Sequence, residues 1–173
     1  MKTSTKLSKG FLEIDDLGAI LSDIDGVMND RSLVYLEDPI AWLTDRSPTL
    51  SRFFGYLTTL VKPNQFLFDL ANFLPKEIRL CFMTSRNESL RDQTVPYLTA
   101  YLKEKRHDFE LYCRQIGEAT ISHKISVAEM VLAEISPKKL LLIDDNPEVL
   151  IQIKSIFPRS AIALHPREIP NYF

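Results

Sequence analysis

Three short polar clusters carry the residue types of a charged reaction centre: Asp23-Ile24-Asp25-Gly26, Thr84-Ser85-Arg86 and Asp144-Asp145-Asn146. Each follows an apolar run, at 18–22 (GAILS), 79–83 (RLCFM) and 140–143 (LLLI). Continuous apolar runs mark strands buried on both faces of a parallel sheet, and open parallel sheets bind ligands outside the carboxyl ends of their strands. Carboxylate pairs at two strand ends repel one another unless a cation neutralises them. Oxygen-only donors with room for water suit a hard divalent ion, Mg²⁺. A single Asp-x-Asp is weak, because Asp is common after strands. Asp144-Asp145-Asn146-Pro147 also has good helix-start chemistry, so a capping role stands beside the metal-binding one.

The elements that must position these clusters can be read from the periodicity. Further strands are expected at 109–113 (FELYC) and 161–164 (AIAL). Helical spacing of apolar residues appears at 65–74, with Asn64 as a candidate N-cap, and at 88–103, where Pro96 predicts a kink or break. It appears again at 122–135 and at 147–156, where Pro147 opens the first turn. Strand and helix in alternation predict an α/β fold, a three-layer sandwich around a central parallel sheet. The stretch 27–60 breaks the rhythm and is too long for a loop, so it is expected to be a small flap or lid inserted after the first strand.

Composition sets outer limits. The chain has 173 residues, 45% of them hydrophobic and 25% charged, as expected for one globular domain at 11–173 behind a loose tail at 1–10. The net charge of −2 gives no global field for nucleic acid or an anionic membrane. No apolar run approaches the ~20 residues of a membrane span, so no membrane partner is expected. The first ten residues lack a signal peptide's apolar core. Cys81 and Cys113 are expected to be reduced, buried thiols of a cytoplasmic protein, in preference to a disulfide pair. His107, His123 and His165 are scattered, which disfavours a zinc site.

Taken together, the clusters resemble the four motifs of the haloacid dehalogenase-like (HAD) phosphohydrolases. The first is Leu21-Ser22-Asp23-Ile24-Asp25-Gly26-Val27, the second Leu80-Cys81-Phe82-Met83-Thr84, the third Lys124, and the fourth Leu141-Leu142-Ile143-Asp144-Asp145. The resemblance covers roughly residues 17–165 and implies a HAD-like Rossmannoid sheet in the order 5-4-1-2-3 without a full-size cap. A finer resemblance, to the phosphatase domain of polynucleotide kinase-phosphatases, rests on Thr84-Ser85-Arg86-Asn87-Glu88, Arg91-Asp92, Leu111-Tyr112-Cys113-Arg114 and Lys124. Here Ser85 stands where that pattern has Gly, and Asn87 precedes Glu88.

The resemblance implies a Mg²⁺-dependent phosphatase working through an aspartyl-phosphate. Asp23 would attack phosphorus, and Asp25 would protonate the leaving oxygen and later deprotonate water. Thr84, Ser85, Arg86 and Lys124 would hold the phosphoryl group. Asp144 and Asp145 would hold Mg²⁺ with Asp23 and the backbone carbonyl of Asp25. An open site favours a macromolecular phosphoester, a nucleic-acid end or nucleotide. A phosphoprotein substrate and a non-catalytic HAD-like binding module are the alternatives.

Several residues keep two readings. Lys138 and Lys139 compete with Lys124 for the third motif but precede the fourth strand, at the wrong edge of the sheet. Arg86 and Arg114 divide evenly between surface charge and substrate contact. Trp42 is read as packing within the lid in preference to a stacking platform, and His123 as a helix-start residue. The flap tip, 30–35 with Tyr35, is expected to overhang the site and set substrate preference.

Overall fold

A computed structural model describes residues 14–29, 42 and 44–171. The expectations for the tail at 1–10 and for the flap tip with Tyr35 lie outside the described residues.

Five parallel strands form one sheet: β1 (Leu17–Ser22), β2 (Arg79–Asn87), β3 (Glu110–Arg114), β4 (Lys139–Ile143) and β5 (Ala161–Leu164). Their order, β3-β2-β1-β4-β5, is the expected one. Every residue of β1 is buried. Because side chains alternate across a strand, Ile20, Leu80, Phe82, Leu141 and Ile143 join one core cluster, and Ala19, Leu21, Cys81, Met83, Leu140 and Leu142 the other. Two-sided burial is the physical reason the strands read as unbroken apolar runs.

Helices cover both faces. On the first lie α2 (Gln65–Phe73), through Leu67, Phe68 and Ala71, and α3 (Arg91–Tyr101), through Tyr97 and Leu98. On the second lie α4 (Thr120–Ile135), through Val127, Ala128 and Val131, and α5 (Pro147–Ile156), through Val149, Leu150 and Ile153. At the start of α5, Asn146 accepts the Glu148 N–H at 3.0 Å and Pro147 occupies the first turn, the capping that the sequence advertises.

One local expectation is corrected and another is refined. Pro96 does not break its helix, since α3 runs through it to Tyr101. The break lies upstream, where Glu88–Leu90 forms a 3-10 turn before α3 begins at Arg91. Pro96 is the sixth of its eleven residues, so it lies inside the helix, where its missing N–H forfeits one backbone bond. Asn64 does occupy the N-cap position of α2, but its side chain makes no cap bond there; its side-chain amide donates to the Val27 carbonyl at 3.0 Å.

That bond helps close the base of the insert. The Asn64 N–H donates to the Met28 carbonyl at 2.9 Å, and Asn29 bridges to Pro63. Within the insert, α1 (Pro48–Thr59) packs against α3 and the 3-10 turn at Glu88–Leu90.

Candidate active site

Strand register builds the centre. Ser22 of β1 pairs with Ile143 of β4, and the Asp23 N–H donates to the Ile143 carbonyl at 2.9 Å. The next residue on each strand is an aspartate, so Asp23 and Asp144 leave the sheet side by side, with strands ~5 Å apart. Helix α4 starts at the same edge and delivers Lys124, which is fully buried. Its Nζ lies 2.9 Å from Asp23 Oδ2 and 3.0 Å from Asp144 Oδ2. One ammonium between two carboxylates offsets their repulsion where little water is left to do so. The other oxygen of Asp23 accepts the Ile24 N–H at 2.7 Å, so both oxygens are oriented.

Asp25 points elsewhere. The chain turns after β1, with Gly26 at φ +82°, a conformation that costs a residue with a Cβ. The Gly26 N–H donates to Asn29 Oδ1, and Asn29 Nδ2 donates to Asp25 Oδ1, both at 3.0 Å. Arg86 Nε and Nη2 meet the two Asp25 oxygens at 2.8 Å each, and Arg86 Nη1 donates to Thr94 Oγ1 at 3.1 Å. Burial opposes the charge on Arg86, but Asp25 and then Asp23 outweigh it and hold its pKa above the ordinary value. Asp25 is therefore locked in direction by a guanidinium and an amide.

Asp23, Asp144 and Asp145 each offer an oxygen within 4.8 Å of the others. Three hard donors with Asp23 and Asp144 buried fit a small divalent cation such as Mg²⁺. The Asp25 carboxylate is outside this group, consistent with a contribution from its main chain alone. Asp144 Oδ1 also accepts the Asn146 N–H at 2.8 Å, so helix-start and ion-site geometry coexist in one cluster.

The second cluster lies on an irregular strand end, where the β2–β3 register shifts between Thr84 and Asn87. Thr84 is buried and its Oγ1 accepts the Arg86 N–H at 3.2 Å. Ser85 is half-exposed and engages Arg114 through its carbonyl, at 2.9 Å from Nε. Neither arginine is a surface charge. Arg86 is buried against Asp25, and Arg114 is buried with its fork closed on Asp45. Lys139 lies 3.8 Å from Asp16 at the opposite edge, which leaves Lys124 as the lysine among the acids.

Trp42 is 55% exposed, and the Arg46 guanidinium lies 4.1 Å from its ring centroid. Packing inside the lid does not describe it. His123 does open α4 but is buried, with Nδ1 3.2 Å from Glu118 Oε2 and Nε2 3.3 Å from the Tyr112 carbonyl. Burial pushes its pKa below the usual value despite Glu118.

Asn29, Asp45 and Thr94 escaped the sequence reading, and Asn87 entered it only as a departure from a family pattern. Asn29 falls three residues after Gly26, a spacing that hints at the turn it closes. Asp45 carries no local signal, because its partners lie on distant strand ends.

No family model matches the chain, and no curated protein does. Among solved structures it is similar to a chain of the Pnkp1/Rnl/Hen1 RNA repair complex, with 17% identity and a TM-score of 0.53. The likeness covers 95% of this chain and 47% of that one, so this chain spans about half the length of its neighbour. At that identity the likeness establishes a shared fold.

Proposed function

We propose that the chain is a HAD-like, Mg²⁺-dependent phosphatase that hydrolyses phosphomonoesters through an aspartyl-phosphate, acting on phosphorylated nucleic-acid ends or nucleotides. The observation that carries this reading is Lys124 bridging Asp23 and Asp144, with Asp145 beside them at the carboxyl edge of the sheet. A capping role alone does not account for a buried lysine recruited from another helix.

The roles follow from what each residue can reach. An Asp23 oxygen attacks phosphorus and the bond to the leaving oxygen breaks, while Asp25 supplies the proton that oxygen needs. Water then displaces the phosphoryl group from Asp23, and Asp25 recovers its proton from that water. Lys124 offsets charge on Asp23 during attack, and the Thr84 hydroxyl would donate to a phosphoryl oxygen. Mg²⁺, held by Asp23, Asp144, Asp145 and the Asp25 main chain, would supply the charge that lets one anion attack another.

The nucleic-acid preference is supported by the Thr84–Arg86 and Arg114 resemblance and by the fold shared with a component of an RNA repair complex. Hydrolysis of para-nitrophenyl phosphate with and without Mg²⁺ tests the chemistry. A panel of 3′- and 5′-phosphorylated oligonucleotides, nucleotides and phosphopeptides tests the substrate. Turnover confined to phosphopeptides would replace the nucleic-acid reading with a phosphoprotein one. Binding without any turnover would leave a non-catalytic module.

A further inference from the structure

The insert is fastened to the catalytic edge by one residue above all. Asp45 receives Arg114 Nη2 at 2.8 Å and Nη1 at 2.9 Å, Asn87 Nδ2 at 3.1 Å and the Gly117 N–H at 2.9 Å. Burial works to raise its pKa, but the hydrogen bonds from Arg114, Gly117 and Asn87 together hold it below the ordinary value. Arg114 is in turn fixed by the carbonyls of Ser85, Gln115 and Glu118. A second fastener, Ser51 Oγ at 3.0 Å from Ser89 Oγ, ties α1 to the adjoining turn, where Asn87 Oδ1 accepts from Ser89. Asn87 directly follows Arg86, so one strand end holds both Asp25 and the insert.

About one helical turn before Asp45 stands Trp42, the only tryptophan of the chain. A tryptophan is highly buried on average, yet this one is exposed. The Arg46 guanidinium lies against its ring, and Arg46 Nη1 donates to the Trp42 carbonyl at 3.2 Å. The result is a flat, cationic, π-rich surface anchored to the catalytic edge. Such surfaces accept a nucleobase by stacking and a neighbouring phosphodiester by charge, whereas a phosphoester without an aromatic ring has nothing to stack.

We infer that Asp45 is a positioning residue that latches the insert to the ends of β2 and β3, and that the Trp42–Arg46 pair it holds is a stacking platform for the nucleobase next to the terminal phosphate. This rests on the nucleic-acid reading above. Stacking on an aromatic side chain contributes about 1–3 kcal/mol per base, or roughly five- to 150-fold in affinity.

Because Trp42 is the only tryptophan, its fluorescence reports the platform directly. Asp23→Asn protein is titrated with a phosphate-terminated oligothymidylate, following Trp42 emission and, in parallel, the anisotropy of a dye-labelled oligonucleotide. Emission should be quenched along the anisotropy curve, while inorganic phosphate and a phosphopeptide leave it unchanged. Trp42→Ala should weaken binding about tenfold and Trp42→Phe should restore most of it. Asp45→Asn should weaken binding similarly and speed tryptic cleavage at Arg46 and Arg52, with unchanged far-ultraviolet circular dichroism. Saturating anisotropy with silent Trp42 emission overturns the platform, as does equal quenching by the phosphopeptide. Unchanged affinity and cleavage in Asp45→Asn overturn the latch. If the wild type hydrolyses no phosphomonoester but quenching persists, the phosphatase reading falls and the platform stands. If oligonucleotides are hydrolysed with Trp42 silent, the platform falls and the phosphatase stands. A flat anisotropy trace removes the nucleic-acid reading and the platform together.

Discussion

Arg86 grips both oxygens of Asp25, with Nε and Nη2 each 2.8 Å from one of them. The pair joins the ends of two adjacent strands across 61 residues of sequence and is buried on both sides. A guanidinium fork fixes a carboxylate in direction as well as charge. In the proposed mechanism that fixes the group that delivers and recovers the proton.

Arg86→Gln should therefore lower kcat at least about tenfold, or ~1.4 kcal/mol in the barrier. It should also displace the pH–rate profile upward, because a buried carboxylate deprived of its guanidinium keeps its proton to higher pH. Breaking one side of a buried pair costs about 3–5 kcal/mol of stability. The double variant with Asp25→Asn should recover part of that loss in denaturant titrations. An unmoved pH profile would mean that Asp25 does not titrate during turnover.

Asp23 and Lys124 provide a second prediction. Asp23→Asn is nearly isosteric and should leave below roughly a tenth of wild-type activity, a loss above ~1.4 kcal/mol, with the fold intact by circular dichroism. Lys124→Met should also cut activity and should destabilise the protein, since Asp23 and Asp144 would then face each other without the ammonium 2.9 and 3.0 Å away. Appreciable turnover by Asp23→Asn would reassign the nucleophile.

Metal removal separates ion binding from capping at Asp144 and Asp145. Activity should be lost in EDTA and restored by Mg²⁺. Mg²⁺ at about a hundred times its Kd should stabilise the fold by ~2.7 kcal/mol through linkage, read as a rise in Tm. Asp145→Asn should shrink that rise, while Asn146→Ala, which removes the bond to the Glu148 N–H, should lower Tm equally with and without Mg²⁺. Full activity after exhaustive chelation would remove Mg²⁺ from the mechanism.

Much of this arrangement was legible from single segments. The strand ends could be found because two-sided burial writes itself as apolar runs, and the acids stand out against them. The sheet order followed from the resemblance carried by those same motifs. Lys124 could be placed because its rivals precede β4, at the other edge. What stayed hidden depends on pairs distant in sequence. Arg86 and Arg114 look like ordinary surface arginines until Asp25 and Asp45 are brought to them, 61 and 69 residues away. Pro96 misled because α3 carries a proline inside it at the loss of one backbone bond, while the break falls upstream at the 3-10 turn Glu88–Leu90. Trp42 misled because aromatic residues usually pack, and its exposure follows from its place on the insert.

His123 yields a prediction about pH and stability. Its ring is buried at the start of α4, facing Glu118, the Tyr112 carbonyl and, further off, the Arg114 charge. Burial, the largest influence, lowers its pKa below the ordinary 6.5, while Glu118 pulls the other way without prevailing. A depressed pKa in the folded state means that the unfolded chain binds the proton more readily. The contribution to stability is therefore fully present above the unfolded value near 6.5 and is lost as pH falls through the folded value. Wild-type Tm should fall between pH 7 and pH 5, and His123→Gln, which cannot titrate, should fall less over the same interval. The Glu118→Gln variant should depress the His123 pKa further and steepen the wild-type trend, because it removes the carboxylate 3.2 Å from Nδ1. Equal slopes for wild type and His123→Gln would show that the ring exchanges its proton without cost to the fold, and would contradict its burial at the start of α4.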